Sequence, residues 1–105
     1  MSEELYFMPV TELVRIIRRG DLSPVEIIDL FLDRIDNRNA EINAYTTVLY
    51  QQARKAARQA ERAIKSGDRL GPLHGVPIAI KDLYGHKAGV RNTFGSKPFA
   101  AFVSS

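Results

Sequence analysis

The residues best suited to chemistry lie in the stretch Gly71-Pro-Leu-His-Gly-Val-Pro-Ile-Ala-Ile-Lys-Asp-Leu83. Its apolar run, Val76 to Ile80, is bounded by glycine and proline turn signals and predicts a short strand buried on both faces. Lys81 closes that run, with its aliphatic stem among apolar neighbours. An ammonium held there loses hydration, and desolvation pushes its pKa down. A lysine that sheds its proton near neutral pH can act as a general base. The plainer alternative is a snorkelling surface lysine beside a solvated Asp82, and composition alone favours it.

His74 is the second candidate for acid–base work. Its position in the turn, between Leu73 and Gly75, favours a structural hydrogen bond over catalysis. Gly71 and Gly75 suit backbone turns. His86 follows twelve residues after His74 with no acidic cluster at ligand spacing, so the sequence offers no metal site. Cysteine is absent, which excludes disulfides, a thiolate nucleophile and a zinc–cysteine site.

The wording of the whole stretch outweighs composition. Gly71-Pro-Leu-His-Gly-Val-Pro-Ile-Ala-Ile-Lys-Asp82 resembles, nearly letter for letter, the lysine-bearing segment of the amidase signature family. Gly89-Val-Arg-Asn-Thr-Phe-Gly-Ser96 is similar to that family's next segment. Upstream, two helical patterns, an Asn-Ala-Tyr strand and an alanine-rich helix also follow the family's order. The resemblance thus covers nearly the whole chain.

Several expectations follow from the resemblance. It implies hydrolysis or transfer of amides by a serine nucleophile, a second serine with a cis peptide bond, and a lysine. The lysine takes a proton through the middle serine and so activates a hydroxyl that is otherwise a poor nucleophile. Backbone amides stabilise the oxyanion. The resemblance puts the lysine on Lys81 and assigns no other triad member here. Ser96 matches a Gly-Ser that is not the nucleophile's position, and Ser104 and Ser105 have no glycine-rich loop around them. The chain is therefore expected to be an N-terminal amidase portion, truncated before its serines and inactive alone. The implied partner is a small-molecule amide, with no cofactor. The family's other substrate class is mischarged aminoacyl-tRNA, handled by the A-type subunits of tRNA amidotransferases.

The elements that would position Lys81 can be read from periodicity. Pro9 opens a helix whose apolar face is Val10, Leu13, Val14 and Ile17, and Gly20 stops it. Ser23-Pro24-Val25-Glu26 is a capping box with proline at the first helical position. It starts a second helix, with Ile27, Ile28, Phe31, Leu32 and Ile35 inward, fraying at Asn37 to Asn39. Together they predict a helical hairpin over 9–38. Ile42 to Val48 has the content of a strand. A third helix, Tyr50 to Lys65, completes a strand–helix unit over 42–66, and the lysine strand and following loop fill 71–105. The expected class is α/β: the N-terminal part of the amidase signature fold, with about three helices and two to three strands of a mixed sheet. Open strand edges would invite homo-oligomer formation.

Length and charge bound the rest. At 105 residues, 45% hydrophobic and 26% charged, this is one soluble unit or a piece of one. No stretch is long enough to cross a bilayer, and the acidic start is unlike a signal peptide, so a cytoplasmic location is expected. A net charge of +3 without a basic block does not call for nucleic acid. Arg54, Arg58 and Arg62 do form a basic stripe on the third helix. No aromatic residue is interleaved with them to stack on a base, which argues for a solvated face. A non-catalytic module associating through Leu5 to Met8 and through Phe99 and Phe102 is the remaining alternative.

Overall fold

The structure is a computed structural model that describes residues 2–80, 88–91 and 103. Within them the chain forms α1 (Ser2–Tyr6), α2 (Val10–Arg19), α3 (Pro24–Ile42) and α4 (Tyr50–Lys65).

Local chemistry sets the ends of α2 and α3. Pro9, with φ fixed at −59°, precedes α2. Gly20 ends it in the left-handed region at φ 78°. The Gly20 N–H donates to the Ile17 carbonyl at 3.1 Å, and Asp21 N–H donates to that of Ile16 at 3.1 Å, so the last carbonyls of α2 are satisfied. α3 starts on the predicted capping box. Glu26 N–H donates to Ser23 Oγ at 3.2 Å, and Ser23 N–H donates to Glu26 Oε1 at 3.3 Å.

The core is small. Leu5, Leu13, Ile17 and Ile27 form its buried centre, with Met8, Leu22, Phe31, Ile64 and Val76 packed around it. Ile27 is fully buried. The apolar faces read from periodicity are only partly used. Leu13 and Ile17 of α2 are buried, whereas Val10 is 49% exposed. On α3, Ile27 and Leu32 are buried, while Ile28, Phe31 and Ile35 face a groove.

The lead-in is a short helix that periodicity does not show. Leu5 enters the core. Tyr6 meets Phe31 edge-on, with ring centroids 5.6 Å apart, and its hydroxyl donates to the Leu30 carbonyl at 3.3 Å. Arg34 lies over Tyr6, 4.4 Å from the ring centroid, and over Phe7 at 5.3 Å.

α3 and α4 pack against each other. The small side chain of Ala57 is buried there. Arg54 Nε donates to Asp29 Oδ1 at 3.2 Å, and the Tyr50 hydroxyl donates to Asp36 Oδ1.

The α/β expectation is corrected here. Among the described residues there is no strand and no sheet, and the structure is helical. The single antiparallel bridge there joins Arg91 to Val103. The first expected strand, Ile42 to Val48, fails because α3 runs through the expected fray to Ile42. Asn43 then caps α3 in the left-handed region, at φ 51°. The Asn39 side-chain amide satisfies the next backbone groups. Its Nδ2 donates to the Tyr45 carbonyl at 2.9 Å, and its Oδ1 accepts from Tyr45 N–H at 2.8 Å. A side chain thus supplies bonds that a ladder would otherwise make. The second expected strand, Val76 to Ile80, has no ladder neighbour among the described residues. Apolar content alone cannot make a strand, because pairing defines one.

Candidate active site

Lys81 lies outside the described residues, as do Asp82, His86, Ser96, Phe99, Phe102, Ser104 and Ser105. The structure does show how the segment leading to Lys81 is held.

The turn at 71–75 is fixed from three helices. From α2, Arg18 Nη2 donates to the Gly71 carbonyl at 3.0 Å. From α4, the Ala60 carbonyl lies 2.9 Å from His74 Nε2. A carbonyl can only accept, so Nε2 carries the proton in this contact. From α3, Pro24 abuts Gly75. A β-carbon built on Gly75 would lie 2.9 Å from Pro24 Cγ and 3.3 Å from Ile17 Cγ2, and Gly75 has φ 81°. Glycine is required there twice over, for its dihedral and for the absence of a side chain. Within the turn, His74 N–H donates to the Gly71 carbonyl at 3.3 Å, and Val76 N–H donates to that of Leu73 at 3.1 Å.

Beyond the turn, Val76 enters the rim of the core, whereas Ile78 and Ile80 are 78% and 52% exposed. These residues border an apolar groove of about 520 Å³. Its walls include Phe31 and Ile35 of α3 and Ala53 and Ala56 of α4. The loop before α4 closes one side, and Arg91 Nη2 donates to the Thr46 carbonyl at 3.0 Å.

Two groups on α4 have displaced titrations. Glu61 is held below its ordinary value of 4.5, chiefly by a hydrogen bond with Ser23 and then by Lys65, whose Nζ lies 3.3 Å away. Tyr50 is raised above its ordinary 10.0, first by its hydrogen bond to Asp36. The basic stripe is divided. Arg54 is paired with Asp29, while Arg58 and Arg62 are exposed on α4. Among the described residues no group of three His, Cys, Asp or Glu side chains is placed to hold a metal ion. No helix among them is long and apolar enough to cross a membrane.

Sequence reasoning finds His74, Gly71 and Gly75 but misses Arg18, which lies 53 residues from the carbonyl that it holds. That pairing leaves no periodic or local signal.

The family model described as Amidase matches residues 26–105, most of the chain. The chain belongs to the amidase signature family. Among curated amidase relatives, an acylamidase of Rhodococcus erythropolis is 38% identical over 104 residues, covering 99% of this chain and 22% of that protein. The A-type subunit of the glutamyl-tRNA(Gln) amidotransferase of Azoarcus sp. (strain BH72) is 46% identical over 95 residues, covering 90% of this chain and 19% of that protein. A crystal structure of a bacterial aryl acylamidase belonging to the amidase signature enzymes superposes with a TM-score of 0.88 at 30% identity. That match covers 94% of this chain and 20% of the other. The chain therefore spans about a fifth of the length of the amidases it matches.

Proposed function

We propose that this chain supplies the lysine-bearing part of an amidase active site, with Lys81 as the base of a Ser-cisSer-Lys triad. The observation that carries this reading is the match of residues 26–105 to the family model, which spans the Gly71 to Asp82 motif. The braced turn at 71–75 supports it physically, because a base must be delivered to a fixed point. In the complete enzyme the neutral amine of Lys81 accepts a proton relayed from the nucleophilic hydroxyl through the middle serine. The freed oxygen attacks the amide carbonyl, the C–N bond breaks, and the proton leaves on the departing amine. Water then hydrolyses the acyl-enzyme. The resemblance assigns neither serine within residues 1–105, and this stretch by itself is expected to show no turnover.

The test is a chimera. This chain replaces the aligned region of the Rhodococcus erythropolis acylamidase, and hydrolysis of a simple aryl amide is measured. The chimera is expected to turn over, and Lys81→Ala is expected to lower kcat by about 10²- to 10⁴-fold, the span of general-base contributions. A Lys81→Ala chimera as fast as its parent would end the assignment.

A second substrate class is suggested by the amidotransferase relatives, the Azoarcus subunit among them at 46% identity over 95 residues. Under that reading the amide is made on aminoacyl-tRNA rather than hydrolysed, and the chain works beside partner proteins of an amidotransferase.

A further inference from the structure

A second cavity, of about 180 Å³, opens beside the groove and shares its Tyr6, Phe31 and Tyr45 walls. Its own walls are Arg34, Arg38 and Asn39 of α3, with Ile42 and Ala44 where that helix ends. No residue of the 71–80 stretch lines it.

The charge at this cavity is one-sided. Among the described residues Arg15, Arg19 and Arg54 each pair with a carboxylate, whereas Arg34 and Arg38 pair with none. No Asp or Glu lines the cavity. The two guanidinium groups belong to residues four apart on α3, on one helix face, where like charges repel. An anion between them relieves that repulsion. The other polar groups of the wall are engaged: the Tyr6 hydroxyl donates to the Leu30 carbonyl, and the Asn39 amide serves the backbone of Tyr45. A cationic ligand is excluded, because Arg34 already covers the Tyr6 and Phe7 rings.

Size and shape narrow the anion. A cavity of about 150 Å³ takes a benzene-sized body, and pockets for drug-sized ligands begin near 300 Å³. At about 180 Å³ this one holds a single ring. Tyr6, Phe31 and Tyr45 offer it aromatic walls. A guanidinium fork matches a planar carboxylate.

We propose that this cavity binds a single-ring aromatic carboxylate, with the ring against the aromatic walls and the carboxylate on Arg38 and Arg34. The site rests on the cavity and its charge and not on the role proposed for Lys81.

The probe is benzoate, titrated into the 105-residue chain at constant ionic strength and followed by NMR shifts. Saturable shifts are expected at Arg38, Asn39, Ile42 and Ala44, which border this cavity only, and not at Ala53 or Ala56, which border only the groove. Arg38→Gln changes an exposed side chain with no ion pair to lose, and should raise Kd about tenfold or more, the worth of a hydrogen bond to a charged group. Arg58→Gln, also exposed but on α4, should leave Kd unchanged. Circular dichroism checks that both variants keep their helices. Benzyl alcohol, a ring without the charge, and acetate, a charge without the ring, should each bind about tenfold more weakly than benzoate. Four outcomes overturn the site: no saturable shift, shifts led by Ala53 and Ala56, equal weakening in the two arginine variants, or benzyl alcohol or acetate binding as tightly as benzoate.

Discussion

His74 Nε2 lies 2.9 Å from the carbonyl oxygen of Ala60, joining the turn before the candidate base to α4. The contact is partly buried and spans fourteen residues. It makes the histidine of the motif a brace, with its ring nitrogen committed to the backbone of another element.

Removing that brace should loosen the turn and little else. His74→Leu is expected to cost about 0.5–1.5 kcal/mol, the usual net worth of one hydrogen bond. Hydrogen exchange should quicken at the Val76 amide, which depends on the turn, while α4 amides stay protected by their own ladder. Uniform quickening through α4 would show that the ring supports the helix rather than the turn.

Two glycines with similar dihedrals should respond differently to the same change. Gly67 has φ 73° and open space where a β-carbon would go, whereas Gly75 has φ 81° and Pro24 Cγ at 2.9 Å. Gly67→Ala should cost only the left-handed backbone term, about 1–2 kcal/mol. Gly75→Ala should add an overpacking cost of about 1–3 kcal/mol. Urea unfolding midpoints of the two variants decide this, and equal midpoints would mean that Pro24 yields freely.

Ser23 caps α3, and its hydroxyl is the first cause of the depressed Glu61 titration. Ser23→Ala should lower stability by about 1 kcal/mol through the lost cap. Ser23→Thr, which keeps the hydroxyl, should restore most of it. Carbon-detected titration of Glu61 should show its pKa rising toward the ordinary value in the alanine variant, since the Ser23 bond is the main cause of its depression. No movement of Glu61 would assign the depression to Lys65 instead.

The pH dependence of stability follows from the directions of those shifts. Glu61 is lowered, so the charged form is favoured by folding. Its contribution is present above 4.5 and is lost as pH falls through the folded value. Tyr50 is raised, so its contribution is present below 10.0 and is lost as pH climbs through the folded value. Thermal unfolding should therefore come at lower temperature at both extremes. Glu61→Gln should flatten the acid limb, and Tyr50→Phe the alkaline one. An acid limb unchanged in Glu61→Gln would point to other carboxylates.

Helices are legible in the sequence where local chemistry decides them. The bounds of α4, the capping box at Ser23 and the stop at Gly20 all follow from contacts within a few residues. Strands are not, for the opposite reason. The runs Ile42 to Val48 and Val76 to Ile80 have strand composition, but a strand also needs a neighbour, and β-propensity chiefly measures packing against one. The short lead-in helix is hidden because its support comes from α3, far along the chain. The candidate site divides in the same way. Its motif is plain from residue order, whereas the grip of Arg18 on Gly71 and of Ala60 on His74 depends on the tertiary fold.

The cation–π stack of Arg34 over Tyr6 and Phe7 has a consequence for the start of the chain. Five residues are too few to nucleate a helix that lasts in water. The opening turn therefore depends on Leu5 in the core and on the hold of Leu30 and Arg34 on Tyr6, and unravelling α3 should release it.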